Sequence, residues 1–373
     1  MEIKRIQSIE KDLAPKRALI IYGPRRIGKT TMTKEFFNNQ KDKKSLYAVG
    51  DDTRLQKLLS SGLRKEILDW ARPYEVIIID EAQYINHVGE AIKMIIDEYP
   101  EKTIIMTGSS SFELSQKTGE PLTGRHFTTT LLPLMQSEIL LSNYEKTERL
   151  NDFLIFGSYP EILLHDSHDD KKRILDELVY SYLLKDVLVL DKIKSPTLLT
   201  DILRALAFQI GNEVSFSEIG KLVGRDTKTV QRYIDILEKT FVIKRVRGYS
   251  NNLRNEISKK SKFYFYDLGI RNAVINNYDD TKSRNDVGAL WENFVFMELY
   301  KKSKATRDSQ EFYFWRTHNG DEVDIITSKD GTLKAYECKW SPKASVSFKK
   351  ILGAYPGTQT HVINNENYLD FLM

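Results

Sequence analysis

The sequence predicts an α/β protein that begins with a parallel sheet, continues through helices and ends in a second α/β region. Short apolar runs at residues 18–22, 76–79 and 103–106 are each followed by glycine or polar residues, a pattern typical of buried parallel strands. Residues 136–195 are rich in helix formers and poor in glycine. From Lys262 onward, aromatic and alternating segments predict strands again.

Composition limits the class of protein. The 373 residues are 41% hydrophobic and 29% charged, which indicates a soluble globular protein of two or three domains. The apolar runs are too short to span a bilayer, and the charged amino terminus lacks a signal region. The single cysteine, Cys338, excludes an internal disulfide, so we expect a cytoplasmic protein without membrane contact. A net charge of +4 permits nucleic-acid binding without arguing for it.

A glycine-bounded loop, "GPRRIGKTT", follows the first apolar run and precedes a predicted helix. This strand–loop–helix context is typical of a phosphate-binding loop, where backbone N–H groups and the helix amino terminus hold an anion. We expect Lys29 to reach the β- and γ-phosphates of ATP and Thr30 to ligate Mg²⁺. An anion would also relieve repulsion between the adjacent arginines; the alternative is a chance match in a glycine turn. The predicted nucleotide-binding residues are Gly23, Pro24, Arg25, Arg26, Ile27, Gly28, Lys29, Thr30 and Thr31.

An acidic pair, Asp80 and Glu81, follows the second apolar run about fifty residues later. We expect Asp80 to hold Mg²⁺ through water and Glu81 to polarise the attacking water. After the third run, Thr107 or Ser109 is expected between the two motifs, sensing the γ-phosphate. The alternative for either hydroxyl is a helix cap.

Five motifs, in the order "GPRRIGKTT", "VIIIDEAQ", "TGSSS", "LTGR" and "GSYPEI", resemble prokaryotic AAA-plus P-loop ATPases joined to a DUF4143 region. The resemblance covers essentially the whole chain. It implies an ATP-binding core over residues 1–135, a helical lid and connector over 136–195, and a homo-oligomer, since AAA-type sites form between subunits. It also makes Arg125 a candidate arginine finger or sensor; the alternative is an ordinary surface arginine.

Residues 196–255 predict a winged helix–turn–helix. A short helix over 217–223 stops at Gly224, and Asp226 caps a second helix with one apolar face. The alternating "FVIKRVRGY" then predicts a two-stranded wing. The alternative to DNA binding is a winged helix that only contacts proteins. The predicted DNA-binding residues are Arg225, Lys228, Gln231 and Arg232, with Lys244, Arg245 and Arg247 nearby to meet phosphates.

In residues 256–373, Glu337 and Lys339 share one strand face, and a hairpin brings Asp324 beside them. With Glu292 on the preceding helix, this segment resembles the PD-(D/E)XK nuclease fold. Asp324 and Glu337 are predicted to bind a second divalent metal, Lys339 to act beside it, and Glu292 to match the helical acid of many members. The alternative is an inert restriction-like scaffold that only binds.

Together these features predict an ATP-hydrolysing, DNA-associated protein that couples nucleotide turnover to DNA remodelling or metal-dependent DNA cleavage. The alternative is a nucleotide-gated regulator that binds DNA or protein and carries an inactive nuclease-like domain. A protein-remodelling signal ATPase that does not bind DNA is a third possibility. The sequence does not identify a protein partner.

Overall fold

A computed structural model describes residues 2–109, 122–183, 195–250, 260–317 and 319–373. These form two compact units. The amino-terminal unit holds residues 5–132 and 239–241, and the carboxy-terminal unit holds 1–4, 133–238 and 242–373. The lid, winged-helix and nuclease-like segments therefore fall together in the carboxy-terminal unit.

The amino-terminal unit contains a five-stranded sheet whose strands all run parallel, as the sequence predicts. Its spatial order is β2-β3-β4-β1-β5. Both β1 and β3 are buried along their whole length, because apolar side chains face helices on both sides of a parallel sheet. The strands are β1 (Ala18–Tyr22), β2 (Ser45–Val49), β3 (Val76–Asp80), β4 (Thr103–Gly108) and β5 (His126–Thr130).

Helices of this unit pack an apolar stripe on the sheet. In α5, Val88, Ala91, Ile92 and Ile95 recur at helical spacing and join the core of the unit. The helices are α1 (Ile9–Asp12), α2 (Lys29–Asn38), α3 (Thr53–Leu59), α4 (Arg64–Ala71) and α5 (Val88–Glu98), with a 3₁₀ turn at Ala82–Tyr84.

The carboxy-terminal unit begins with helices, as the sequence predicts. They are α6 (Asn143–Glu148), α7 (Leu150–Phe156), α8 (Pro160–Leu163), α9 (His168–Glu177), α10 (Pro196–Phe208), α11 (Phe216–Val223), α12 (Thr227–Lys239), α13 (Leu268–Val274), α14 (Val287–Ala305), α15 (Lys349–Ala354) and α16 (Tyr368–Leu372). A π-helical segment, Leu178–Leu183, continues α9.

After α7, the chain turns at Gly157, whose φ of 73° is unfavourable for other residues. A Cβ there would lie 2.1 Å from Oδ1 of buried Asp267, so only glycine allows this close approach. The Asp267 carboxylate accepts hydrogen bonds from the Ser158 and Ile270 backbone N–H groups. This contact ties the "GSYPEI" motif to the start of α13.

Two arginines and one aspartate form a buried network beside α13. Asp286 accepts hydrogen bonds from Arg271 Nη1 at 2.7 Å and from Arg284 Nε at 2.7 Å. Both arginine side chains are about 2% exposed or less. Burial alone would raise the pKa of Asp286, but the hydrogen bonds and charges of the arginines lower it to about 2.

A six-stranded mixed sheet completes the carboxy-terminal unit, in the order β11-β10-β9-β8-β6-β7. The structure differs from the predicted two-stranded wing. Only one strand, β6, forms within "FVIKRVRGY"; it pairs antiparallel with β7 and parallel with β8, so it belongs to the large sheet. The strands are β6 (Ile243–Gly248), β7 (Ser261–Phe265), β8 (Glu311–Arg316), β9 (Glu322–Lys329), β10 (Thr332–Cys338) and β11 (Gln359–Ile363).

Across the described ranges, none of the helices combines the length and the apolar character needed to cross a membrane.

Candidate functional site

The phosphate loop lies at the carboxyl end of β1 and leads directly into α2. Gly28, at the start of α2, has a φ of 96°, and Gly23 has no room for a side chain because a Cβ would lie 2.3 Å from the Leu131 carbonyl oxygen. Ile27 is buried, Arg25 and Arg26 are half-buried and Thr31 is exposed. The loop therefore turns tightly around the first turn of a ten-residue helix, where backbone N–H groups are available.

Lys29 is held inside this loop. Its side chain is buried, and Nζ donates to the carbonyl oxygens of Gly23 at 2.9 Å and Pro24 at 2.8 Å. An ammonium held by neutral carbonyls at the amino terminus of a helix is ready to bind an anion that approaches the loop.

Asp80 is the last residue of β3, and its carboxylate accepts hydrogen bonds from three hydroxyl groups. Its Oδ2 accepts from Thr30 Oγ1 at 2.8 Å and from the Tyr47 hydroxyl at 3.0 Å, while its Oδ1 accepts from Thr107. Burial raises the pKa of Tyr47, so this hydroxyl stays protonated and donates. Carboxylate and hydroxyl oxygens are ligands that suit Mg²⁺, so the residues present fit this ion.

Glu81 follows Asp80 in a left-handed backbone conformation, with a φ of 53°. Its backbone N–H donates to Thr107 Oγ1 at 2.9 Å, and its carboxylate accepts from the Gln83 side-chain amide. Thr107 therefore touches both members of the acidic pair. Ser109 is buried just beyond the end of β4; residues 110–121, which include the rest of "TGSSS", lie outside the described ranges.

Sequence reasoning missed two residues of this site, Tyr47 and Gln83. The position of Gln83, two residues after Glu81, was a signal that could have identified it. No sequence signal points to Tyr47, because its contact depends on β2 lying beside β3. In addition, Arg25 Nη2 donates to the Tyr84 hydroxyl at 3.1 Å, which links the phosphate loop to the segment after the acidic pair.

Arg125 lies at the amino ends of the parallel strands, whereas the phosphate loop lies at their carboxyl ends. It precedes β5, whose first residue pairs with Ala18 at the start of β1, whereas the loop follows the last residue of β1. Arg125 Nε lies 2.7 Å from Asp97 Oδ1, beside a cavity of about 570 Å³ that Lys16 and Arg17 also line. The role of Arg125 as an arginine finger or a sensor stays a prediction.

The helix–turn–helix segment consists of α11, a turn at Gly224 and α12. The inner face of α12 is buried, and its outer face together with the preceding turn exposes the four predicted DNA-binding residues, Arg225, Lys228, Gln231 and Arg232. The spacing of three and four residues puts the last three on one side of the helix.

The predicted wing cations differ in accessibility. Lys244 Nζ lies 2.5 Å from Glu238 Oε1. Arg245 donates to Ser261 Oγ at 2.9 Å and covers the Phe216 ring. Only Arg247 of these three is exposed. Lys244 and Arg245 therefore bind side chains of their own unit and stabilise the position of β6 there.

The four predicted nuclease-like residues come together at the second sheet. Asp324 on β9 and Glu337 on β10 are both buried, and Lys339 Nζ lies 2.6 Å from Glu337 Oε2 and 3.5 Å from Asp324 Oδ2. Asp324 Oδ2 also accepts from the Cys338 backbone N–H at 2.8 Å. Glu292 lies in α14 and influences the ionisation of the same cluster through its charge.

Three further groups enter this cluster that sequence reasoning did not foresee: Lys262, Glu322 and Tyr264. Lys262 Nζ lies 2.9 Å from Glu292 Oε1 and 2.5 Å from Glu322 Oε1. The Tyr264 hydroxyl donates to the same Glu292 oxygen at 2.6 Å. Within the part of the chain that the structure describes, no three histidine, cysteine, aspartate or glutamate side chains form a metal-ligand group. The second metal at this cluster stays a prediction.

Comparison with known families divides the chain into three matched segments. A model of an AAA domain matches residues 15–140, a domain of unknown function (DUF8612) matches 147–281, and a second (DUF4143) matches 287–369. The chain carries an AAA domain and a DUF4143 region. The predicted family resemblance is thus confirmed, and the AAA domain supports nucleotide binding. The DUF8612 segment, which was not foreseen, includes Lys262 and thus supplies part of the cluster completed by the DUF4143 segment.

The relatives of the chain are similar over most of its length. An uncharacterised protein of Methanocaldococcus jannaschii is 27% identical over 367 residues, covering 89% of this chain and 80% of that protein. An uncharacterised protein of Mycobacterium tuberculosis is 25% identical over 338 residues, covering 88% and 71%. Among solved structures, domain III of the Thermotoga maritima replication initiation protein DnaA aligns with a TM-score of 0.28 and 16% identity, covering 56% of this chain and 83% of that one. A score this low carries no argument here.

Proposed function

We propose that the protein hydrolyses ATP, binds DNA and couples nucleotide turnover to DNA remodelling. The proposal rests on the side chains that come together at the carboxyl ends of the strands in the five-stranded sheet. There, Lys29 lies inside a phosphate loop, and the Thr30 hydroxyl meets the Asp80 carboxylate at 2.8 Å. An anion site next to an oxygen-donor site is what a nucleotide phosphate with Mg²⁺ requires.

Each residue has a defined role in this proposal. Lys29 would contact the β- and γ-phosphates, and Thr30 and Asp80 would hold Mg²⁺, which when bound would neutralise charge on the phosphate oxygens. Glu81 orients the attacking water and accepts its proton. Because Gln83 donates to the Glu81 carboxylate, that hydrogen bond must break or lengthen before Glu81 can act as a base.

The test compares hydrolysis with nucleotide binding. Lys29→Ala should abolish hydrolysis and weaken binding, whereas Glu81→Gln should keep ATP binding and stop turnover, because only water activation is lost. Lys34→Ala is the matched control, since Lys34 is an exposed lysine of the same helix. Normal hydrolysis by the Glu81→Gln protein would contradict the assignment of the base.

We further propose that the active form is a homo-oligomer in which Arg125 of one copy faces the phosphates of the next. The support for this arrangement is that Arg125 lies beside the start of β1, whereas the phosphate loop of the same chain follows the end of β1. Arg125→Ala should therefore bind ATP without hydrolysing it. Mixing that variant with Lys29→Ala should restore part of the activity, because some interfaces then combine an intact loop with an intact arginine. No recovery despite mixed assembly would argue against the arrangement.

DNA contact is proposed for the outer face of α12 and the turn before it. Arg225, Lys228 and Arg232 are exposed there, and the inner face of α12 is buried in its own unit. Cations on one side of an exposed helix can meet successive phosphates, and Gln231 between them has the donors and acceptors to read a base edge.

Charge removal tests this surface. The double variant Lys228→Ala, Arg232→Ala should bind DNA more weakly and with a shallower salt dependence, because fewer counterions are released. The double variant Lys57→Ala, Lys65→Ala removes the same charge from exposed positions of the other unit and should bind normally. Equal affinities of the two double variants would move the DNA site elsewhere or remove it.

A protein-contacting regulator is the second candidate function. The observation in its favour is apolar exposure beside the helix–turn–helix: Phe208, at the end of α10, is 68% exposed and Leu222, in α11, is 67% exposed. Large exposed apolar side chains are typical of protein-binding surfaces. Nucleotide-dependent binding that persists after Lys228 and Arg232 are neutralised, but fails in Phe208→Ser, would favour this candidate.

A further inference from the structure

The cluster formed by α14, β7, β9 and β10 contains two lysines that bridge four carboxylates. Lys262 Nζ contacts Glu292 at 2.9 Å and Glu322 at 2.5 Å. Lys339 Nζ contacts Glu337 at 2.6 Å and Asp324 at 3.5 Å. Every carboxylate of the cluster therefore already has a cationic partner that belongs to the chain.

The two lysines differ in burial. The Lys262 side chain is 1% exposed, whereas that of Lys339 is 33% exposed. An ammonium cannot stay charged in such a buried position unless carboxylates surround it. Burial lowers the pKa of Lys262, but the charges of Glu292, Glu322 and Asp324 outweigh this and raise it above its ordinary value. Lys262 is therefore a permanent cation at neutral pH.

The hydrogen bonds around Glu292 lead to the same conclusion. Its Oε1 accepts from both Lys262 and the Tyr264 hydroxyl, at 2.9 and 2.6 Å. The lone pairs of this one oxygen, committed to two donors, are not available to a metal, which needs oxygen ligands at about 2.1 Å for Mg²⁺. A divalent ion would also be repelled by the neighbouring ammonium groups.

We propose that the ammonium of Lys262 is the resident cation of this cluster, in place of a divalent metal. The nuclease-like region consequently binds neither Mg²⁺ nor Mn²⁺ and does not cleave DNA. The carboxylates of Glu292 and Glu322 hold Lys262 instead, and this joins β7 to α14 and β9. The same reasoning predicts that removing the ammonium creates a divalent-cation site from the released carboxylates. The inference is independent of ATP hydrolysis, which involves the other unit.

The experiment measures Mn²⁺ binding to the full chain without nucleotide, by calorimetric titration. The wild-type protein and Asp324→Ala should give the same isotherm, because the cluster takes no metal in either. Lys262→Met keeps the aliphatic stem and removes the charge, so it should gain one Mn²⁺ site. The double variant Lys262→Met, Asp324→Ala should lose that site again. Lys260→Met, at an exposed position two residues earlier, should behave as wild type.

Specific results would overturn the inference. A Mn²⁺ site in the wild-type protein that disappears in Asp324→Ala would show that the cluster binds metal as it stands. Mn²⁺-dependent cleavage of duplex, single-stranded or branched DNA that Asp324→Ala abolishes would do the same. A folded Lys262→Met protein without a new site would refute the role of the ammonium. If Lys262→Met does not fold, the comparison of wild type with Asp324→Ala decides the question alone. ATP hydrolysis, measured in parallel, reports separately on the amino-terminal unit.

Discussion

Exchanging Thr107 for valine should disturb both halves of the acidic pair while leaving the shape of the core unchanged. Thr107 is completely buried in β4, between the strand of the phosphate loop and the strand that ends in Asp80. Its hydroxyl donates to Asp80 Oδ1 and accepts from the Glu81 backbone N–H at 2.9 Å. Valine has nearly the same volume, so the change removes two hydrogen bonds and creates no cavity.

The expected loss of stability follows from these two hydrogen bonds. A hydrogen bond to a charged group contributes about 1.5–3 kcal/mol, and a buried N–H left without an acceptor costs about 1–3 kcal/mol. Since the two effects share one hydroxyl and are not fully additive, we expect the free energy of unfolding to fall by about 3 kcal/mol. Loss of a group that orients a metal ligand typically lowers affinity or activity about 10- to 100-fold, which is the fall expected in ATP hydrolysis.

The assay pairs urea unfolding with steady-state ATP hydrolysis. Thr107→Ser keeps the hydroxyl and should retain most of the activity. Thr103→Val makes the same isosteric exchange at the start of the same strand, away from the acidic pair, and should leave hydrolysis unchanged. Near-normal hydrolysis and stability of Thr107→Val would refute the reasoning, because neither hydrogen bond would then be contributing.

Three further changes test other parts of the structure. Tyr47→Phe should raise the Mg²⁺ concentration needed for hydrolysis about 10-fold, because the strand-end carboxylate loses one of its donors; an unaltered Mg²⁺ titration would count against this. Asp286→Asn should lower the free energy of unfolding by about 3–5 kcal/mol at pH 7, since two buried arginines lose their counter-ion. In the wild type this contribution is present above about pH 4 and is lost as the pH falls through the lowered pKa of about 2, so urea unfolding should show a smaller difference between the two proteins at the lowest pH. Gly157→Ala should lower the free energy of unfolding by more than about 3 kcal/mol, because its Cβ would overlap the Asp267 carboxylate at a positive φ. Gly353→Ala, within α15 where a Cβ meets nothing within 4 Å, should be at least as stable as the wild type.

The sequence alone was sufficient to predict features that depend on neighbouring residues. A glycine loop between an apolar strand and a helix predicts an anion site, because its backbone N–H groups come from consecutive residues. The adjacent acids Asp80 and Glu81 must occupy one strand end, and alternation along β10 must put Glu337 and Lys339 on one face. The α/β class and the parallel sheet follow from the same local patterns.

The tertiary structure decided which distant residues meet these local features. Sheet order places β4 between β1 and β3 and β2 beside β3, which brings Thr107 and Tyr47 to the same carboxylate. In the second sheet, β6 pairs with β8 as well as with β7, so the strand expected in a wing belongs to the six-stranded sheet. Lys262 reaches Glu292 and Glu322 because a strand, a helix and another strand pack together, although nothing in the local pattern of each indicates the others. Periodicity specifies which face of an element is buried, but the partner of a buried charge is set by the packing of non-local elements, where desolvation makes an unpaired charge too unfavourable to remain.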